Sequence, residues 1–284
     1  MITDTPSLRQ RWLGAKLAEL RLAAGIASLA VAAEACRRST ASLSRIENGL
    51  VGIPPRDIPP ILDAYRVTDP AVRERLMVVA AEVQQERRGW WVEHGDVLAP
   101  SYMDRIRLEA TATAIWTYET CLVPGLLQTE AYARAFVSAL AEFGSVPELD
   151  EFVAVRMARK TILEGERPAT MRAVISEAVL HHPIGGPDIF RDQLDHLRKI
   201  AASPNVSLQV VPFMDQPNPG LFGAFTLLRL PSLDVVHVEA MNTDAYIEDE
   251  RGVEQYIDAF DRLCDIALTE QESTTLLAES AASL

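Results

Sequence analysis

Apolar side chains recur at helical spacing near the amino terminus. Four of them, spaced by four, three and four residues, form one face of a helix over about residues 11–24: Leu13, Leu17, Leu20 and Ala24. Gly25 indicates where this helix ends, and the hydroxyls of Ser28 and Ser39 can cap two further helices. With a short fourth helix that ends near Tyr65, the pattern predicts a small helical bundle.

A longer helix and then a mixed pattern follow this bundle. Asp69 and Pro70 favour a helix start, because Asp can cap a helix and Pro at its first position loses no needed N–H group. Polar residues before Gly89 end this helix. Beyond it, runs rich in Val, Phe and Leu alternate with helical patterns, and we expect strands over residues 115–123, 171–176, 206–212, 222–230 and 235–239.

These patterns predict three segments. Residues 1–68 form a mainly α domain, residues 69–89 a linker helix, and residues 90–284 a larger α+β domain with a sheet flanked by helices. Within the larger domain a helix is expected over residues 149–164, and Ser273 is the expected cap of the last helix.

Charge is divided unevenly between these segments. The chain has 284 residues and a formal net charge of −13, yet residues 1–88 carry +3 and residues 89–284 carry −16. Such asymmetry is a hint of nucleic-acid binding. A weakly basic domain can approach phosphates while an acidic domain is repelled by them, so we expect any DNA contact to come from the amino-terminal bundle.

The third helix of the bundle has the pattern of a DNA reader. Leu43 and Ile46 face the bundle core, while the other side presents short hydroxyl side chains and Arg45. An exposed stripe of polar and cationic side chains is what a recognition helix presents to the major groove. The alternative is a helical bundle with a solvated polar helix that binds no DNA.

The segment Ser44-Arg45-Ile46-Glu47-Asn48-Gly49 resembles the S-R-I-E-x-G signature of Cro/C1-type (XRE) helix-turn-helix regulators. The resemblance implies a λ-repressor-like domain of about five helices that binds double-stranded DNA, with the third helix in the major groove and the first turns of helices two and three on phosphates. The DNA-binding residues expected from it and from the exposed stripe are Ser28, Arg37, Arg38, Ser39, Thr40, Ala41, Ser42, Ser44 and Arg45.

The sequence departs from the pattern of these regulators in three respects. Leu29 stands where a Gln usually follows the cap of helix two, and Arg37 stands where a Gly usually ends that helix. The third helix also has no Gln, Asn or Lys. Small hydroxyls, contacts with thymine methyls, Arg37, Arg38 and DNA shape are then left to provide specificity. A domain that no longer binds DNA stays an alternative.

Further motifs resemble a family of actinomycete regulators (WhiJ-type) that join such a domain to a conserved, antitoxin-like carboxy-terminal domain. They include Arg88-Gly89-Trp90-Trp91, the LVPGLLQT block at residues 122–129, and residues 183–187 and 209–213. The resemblance covers residues 13–277 and implies a DNA-binding regulator that works with a small partner protein encoded nearby. Because one domain alone should bind an operator weakly, we expect a homodimer, or a complex with the partner, to supply two half-sites. Trp90, Trp91 and Tyr118 are the candidates for a partner or ligand surface, and the alternative is that they pack against the core.

No sequence motif of the common enzyme classes is present. GxGxxG, GxxxxGK[ST], GxSxG and HExxH are missing, and the three cysteines form no CxxC pair. His181 and His182 are adjacent, so they point in different directions. Asp234 and His237 fall on opposite faces of a strand, and with Glu239 they read as solvated structural residues. We expect no catalysis, no cofactor and no metal ion.

The sequence predicts a cytoplasmic transcription regulator. It has neither a signal-peptide pattern nor an apolar run of about 18 residues, which a membrane span requires. The function indicated is DNA binding, as a repressor or developmental regulator, with a carboxy-terminal domain that binds a small partner or effector. The alternative is an antitoxin-like protein that neutralises a small partner and carries a vestigial DNA-binding domain.

Overall fold

The computed structural model describes residues 6–86, 88–94, 98–141, 148–240 and 243–284. The chain divides into two compact units, Met1–Arg107 and Leu108–Leu284. The domain boundary expected near residue 89 stays a prediction. No helix among the described residues is both long and apolar enough to cross a membrane.

Within residues 6–86 the amino-terminal unit contains the five expected helices: α1 (Leu8–Ala23), α2 (Leu29–Ala35), α3 (Thr40–Glu47), α4 (Ile58–Ala64) and α5 (Pro70–Glu86). The Ser39 hydroxyl caps α3 by accepting a hydrogen bond from the Ser42 N–H at 3.1 Å. Asp69 accepts one from the Ala71 N–H at 2.8 Å at the start of α5. Helix α1 begins earlier than expected because the Ser7 hydroxyl accepts a hydrogen bond from the Gln10 N–H.

Two glycines allow α1 to approach the end of α3 closely. A Cβ atom on Gly14 would lie 2.5 Å from the Ile46 carbonyl oxygen. Gly49 has a φ of +66°, and a Cβ there would lie 2.6 Å from the Arg11 Cα. The Gln10 amide also donates a hydrogen bond of 2.6 Å to the Gly49 carbonyl. Side chains at either glycine would therefore force the two helices apart.

A buried polar network joins α1, α3 and the end of α4. The Arg21 Nε lies 3.0 Å from both carboxylate oxygens of Glu47, and the Tyr65 hydroxyl donates to the same carboxylate at 2.7 Å. Arg21 also donates to the carbonyls of Ile26 and Ala27, in the turn before α2. Burial and the bond to Glu47 both raise the pKa of Tyr65, so its hydroxyl stays a donor.

The carboxy-terminal unit is built on one six-stranded sheet in the order β3-β2-β1-β4-β5-β6. The strands are β1 (Ala114–Glu119), β2 (Thr170–Ser176), β3 (Val206–Val211), β4 (Phe225–Arg229), β5 (Asp234–Ala240) and β6 (Thr243–Ile247). β1, β2 and β3 are parallel, whereas β4, β5 and β6 extend the sheet in antiparallel fashion from β1. At the centre, Tyr118 of β1 is opposite Val174 on one side and Phe225 on the other.

Helices precede and follow these strands in the chain. Helix α6 (Pro100–Glu109) precedes β1, and the later helices are α7 (Glu130–Ala141), α8 (Leu149–Ala158), α9 (Pro187–Ile200), α10 (Glu250–Ile266) and α11 (Glu270–Ala282). Phe260 and Leu263 of α10 pack in one apolar cluster with Leu227 and Val236 of the sheet. Helix α11 packs against α9 and β3. The α+β class expected from the sequence is confirmed.

Several details of the second unit differ from the expectations. The strand expected over residues 115–123 ends at Glu119, and the helix expected to reach residue 164 ends at Ala158 and continues as a 3-10 turn. Strand β6 and helix α6 were not expected. Thr269, and not Ser273, caps α11 with a capping box: its hydroxyl accepts a hydrogen bond from the Glu272 N–H, and the Glu272 carboxylate accepts one from the Thr269 N–H. Ser273 is buried, and its hydroxyl accepts a hydrogen bond from the Val210 N–H.

Replacing Glu47 with Ala is expected to destabilise the amino-terminal unit by about 3–5 kcal/mol, because it leaves the buried Arg21 without its carboxylate. Urea unfolding of the full chain checks this. Glu19→Ala is the matched control, since Glu19 forms only an exposed pair with Lys16 on α1, and it should cost less than about 1 kcal/mol. Equal losses in the two variants would contradict a structural role for the network.

Candidate nucleic-acid interface

Helix α3 presents most of the predicted DNA-binding residues on its solvent side. Leu43 and Ile46 are buried, as expected. The side chains at the start of the helix and Arg45 on its last turn are exposed, and Ser42 and Ser44 are half-buried. Among the predicted residues on α3 and at its N-cap, the exposed ones are Ser39, Thr40, Ala41 and Arg45. The helix therefore offers a stripe of small side chains that ends in a cation.

The start of α2 and the turn after it contribute the remaining predicted residues. Ser28 is exposed at the N-cap of α2, but its side chain makes no capping hydrogen bond. Arg37 is exposed in the turn that leads to α3. Arg38 is half-buried and donates a hydrogen bond of 2.9 Å to Asp57, so its guanidinium is already oriented within the unit.

Arg37 occupies a backbone conformation that favours glycine. Its φ is 54°, and the following N–H, that of Arg38, bonds to the Ala33 carbonyl as in a helix-ending turn. Arg66 ends α4 in the same way, with a φ of 56°. Helices α1 and α3 end with Gly25 and Gly49 at this position. The departure at Arg37 thus changes the side chain and keeps the turn that the regulators' Gly would form.

Sequence reasoning assigned no role to two residues of this region. Glu47, part of the S-R-I-E-x-G signature, is buried in the network with Arg21 and acts within the domain. Arg56 lies in the 3-10 turn Pro55–Asp57 after α3, with 86% of its side chain exposed. Arg56 could have been chosen from the sequence, because it is a cation in the proline-rich loop after the third helix.

The three aromatic candidates for a partner surface are less accessible. Trp91 is buried, and its indole N–H donates to the Glu86 carbonyl at 3.0 Å. Tyr118 is buried in the core of the sheet. Trp90 is half-buried and meets the Trp91 ring edge-on. Their assignment to a partner surface stays a prediction.

The LVPGLLQT block is a structural connector between β1 and α7. Gln128 is fully buried, where its amide donates to the Val123 carbonyl and its oxygen accepts from Arg156. Gln193 of α9 is also buried, and it bonds to the backbone of Leu127 and Thr129. These hydrogen bonds satisfy the polar groups of a buried loop. The block therefore depends on the amide of its own Gln128 and on that of Gln193 from α9.

A second exposed surface lies between β3 and β4. The apolar loop (residues 213–222) exposes four large hydrophobic side chains: Phe213, Met214, Leu221 and Phe222. Leu221 is 73% exposed and Phe222 is 96% exposed, so packing within the chain does not explain them. The sequence contained their apolar character, but only the structure shows that they are uncovered. Large apolar side chains that are this exposed are candidates for an interaction site.

The histidines follow the sequence argument only in part. His181 Nε2 lies 3.7 Å from Glu177, whereas His182 bonds to the Ala178 carbonyl, so the adjacent pair diverges as expected. Asp234 pairs with Arg229 and is separated from His237, also as expected. The description of His237 as solvated was wrong, because it is 2% exposed.

Comparison with protein families adds two matches. Residues 102–279 match a family described as a domain of unknown function, DUF5753. The chain belongs to the DUF5753 family. Residues 12–76 of this DUF5753 chain match a helix-turn-helix domain, which supports a DNA-binding regulator. No curated protein and no solved structure matches the chain.

The helix-turn-helix match spans α1 to α4 and the first turns of α5. It therefore includes the stripe on α3, the Arg37 turn and the buried network. The DUF5753 match begins within α6 and ends within α11, so it includes the whole sheet, the connector and the apolar loop. The Cro/C1-type character of the amino-terminal domain agrees with the match.

Arg37→Gly is expected to stabilise the amino-terminal unit of this DUF5753 chain by about 0.5–1 kcal/mol, because glycine relieves the cost of a positive φ. If Arg37 contacts DNA, the same change weakens DNA binding. Arg66→Gly is the matched control, since it relieves the same strain in the same kind of turn. Thermal unfolding and DNA titration together check this, and equal DNA affinity in both variants would remove Arg37 from the interface.

Proposed function

We propose that this DUF5753 chain is a sequence-specific transcription regulator that binds double-stranded DNA through α3. The observation that carries the proposal is the exposed stripe of α3, held in one orientation by the buried Arg21–Glu47 pair. A recognition helix must be held rigidly, because its contacts with base edges depend on a fixed pose in the groove. The helix-turn-helix match supports this reading.

In the proposed complex, small side chains of α3 meet the base edges. The hydroxyls of Thr40, Ser42 and Ser44 can donate or accept hydrogen bonds, and the Ala41 methyl suits contact with thymine methyls. Arg45, Arg37 and Arg56 are exposed cations that suit phosphates. Ser28, Ser39 and Arg38 complete the proposed contact surface at the first turns of α2 and α3.

The proposal extends to the assembly of the regulator. A single unit with these short side chains has few base contacts, so we infer a homodimer that reads two half-sites about one helical turn apart. The likeness to WhiJ-type actinomycete regulators supports a cytoplasmic protein that acts as a repressor or developmental regulator. It also supports a small partner protein encoded nearby.

The partner is proposed to bind the apolar loop of the carboxy-terminal unit. Phe222 and Leu221 provide the apolar contact, and the net charge of −16 over residues 89–284 favours a partner whose surface is basic around an apolar groove. An antitoxin-like protein that neutralises such a partner, with a vestigial DNA-binding domain, is the second candidate. The same loop favours it.

Arg45→Glu is expected to weaken binding to DNA from the gene's own upstream region by at least about tenfold, because one charge-assisted phosphate contact is lost and reversed. Fluorescence anisotropy with native and scrambled duplexes measures this. Arg45→Ala should also reduce the slope of log affinity against log salt concentration by about 1.

Arg191→Glu is the matched control for that charge reversal, because Arg191 lies on α9 and pairs only with an exposed Asp188. It should leave the affinity and the salt dependence unchanged. Native and scrambled duplexes that bind equally, with no effect of Arg45→Glu, would contradict the DNA-reading proposal and favour the antitoxin-like candidate.

Phe222→Ser is expected to weaken binding of the small protein encoded next to this gene by at least about tenfold, since a central aromatic anchor commonly contributes 2 kcal/mol or more. Calorimetric titration measures this. Leu140→Ser, at another exposed apolar position on α7, is the control and should bind normally. DNA affinity should be the same in both variants, and equal partner binding would exclude the apolar loop.

A further inference from the structure

The hairpin of β5 and β6 brings three metal-ligating side chains together. His237 and Glu239 are two residues apart on β5, so they share one face of the sheet. Asp244 of β6 is directly opposite Glu239 in the antiparallel register. One donor atom from each of the three side chains lies within 4.8 Å of the other two.

The register of the hairpin places two like charges opposite each other. Two carboxylates directly opposite each other repel and destabilise the pair of strands. The His237 imidazole lies beside them, with Nε2 2.8 Å from an Asp244 oxygen. Its ring packs against Tyr246 with the centroids 4.9 Å apart, and its side chain is 3% exposed. The imidazole is therefore held in place with Nε2 directed at the carboxylates.

We propose that His237, Glu239 and Asp244 bind a divalent transition-metal ion of the zinc class. A neutral imidazole and two carboxylates are ligands that such ions accept, and the two negative charges match the ion's charge. A metal ion also removes the repulsion between Glu239 and Asp244. The hydrogen bond between His237 Nε2 and Asp244 holds these two donor atoms 2.8 Å apart before the ion binds. The ion takes the place of the shared proton, which is released to solvent.

Burial of the ligands differs in a way that suits entry of an ion. His237 is buried, Asp244 is half-buried and Glu239 is exposed, so the site is anchored inside and opens outward. Three protein ligands leave a coordination position for water or an added anion. Because Asp244 belongs to the edge strand β6, the bound ion fastens that strand to β5.

His181 and Glu177 provide a matched comparison within the same unit. Their closest donor atoms are 3.7 Å apart, so they also combine an imidazole and a carboxylate. His181 is mostly exposed, however, and it stacks on Phe213. Among the described residues, the hairpin is where three such side chains converge. His181→Ala therefore removes an imidazole without touching the proposed site.

The test uses the untagged full-length chain after treatment with a chelator and desalting. Calorimetric titration with Zn²⁺ is expected to show one ion per chain, and Co²⁺ should develop visible absorption from bound metal. His237→Ala and Asp244→Asn should each weaken Zn²⁺ binding about a hundredfold, since loss of even an outer-shell partner costs 10- to 100-fold in affinity. His181→Ala should bind as the unaltered chain does.

Two results would overturn the proposal. One is a chain that binds no Zn²⁺ or Co²⁺. The other is binding that His237→Ala leaves unchanged and that Mg²⁺ reproduces, because this would indicate general attraction of cations to acidic surface. Circular dichroism and thermal unfolding of each variant check that the chain remains folded, so that a loss of metal binding can be assigned to the ligands. The outcome does not depend on whether α3 binds DNA.

Discussion

The position of α3, the proposed recognition helix, depends on one buried ion pair. Arg21 and Glu47 connect α1 to the end of α3, and further bonds from Arg21 reach the carbonyls before α2. Tyr65 adds a bond from the end of α4, so a single carboxylate organises four segments of the domain. A buried charge without its partner costs several kcal/mol of folding free energy. Loss of either Arg21 or Glu47 would therefore strongly destabilise the domain. This explains the Glu of the S-R-I-E-x-G signature as an internal support for the helix, while its neighbour Arg45 is left to face outward.

At the turn after α2, the stability of the domain conflicts with its proposed binding to DNA. Four helices of the amino-terminal unit end in a positive φ, and two of them place arginine where glycine is cheaper. Arg66 follows α4, and no DNA contact is proposed for it. Arg37 lies before α3, where the proposed phosphate contact would compensate for a strained backbone. Because α3 has no Gln, Asn or Lys to contact bases, each additional cation would add to the proposed affinity for DNA.

Sequence reasoning succeeded where structure is determined locally. Caps at Ser39 and Asp69 and the apolar face of α1 depend on residues a few positions apart, and all were predicted. The cap of α11 was misplaced by four residues because Thr269 and Ser273 are both good cap residues, and only packing against β3 buries Ser273. The exposure of Phe222 could not be predicted, since an apolar loop looks the same in sequence whether or not another element covers it. The candidate DNA-binding residues on α3 could be chosen from the solvent side of one helix, whereas Ser28, Arg37 and Arg38 lie outside that helix.

The hairpin shows why a site can escape a correct local argument. Alternation along β5 separates Asp234 from His237, and the structure agrees, because Asp234 pairs with Arg229 across the ladder to β4. The same alternation places His237 and Glu239 on one face, but two ligands seldom suffice for a metal ion in a protein. The third, Asp244, lies on a strand that its short, polar sequence did not reveal, and its position opposite Glu239 follows from the register of the hairpin. Pairing of strands therefore creates this constellation, and no spacing within β5 alone could indicate it.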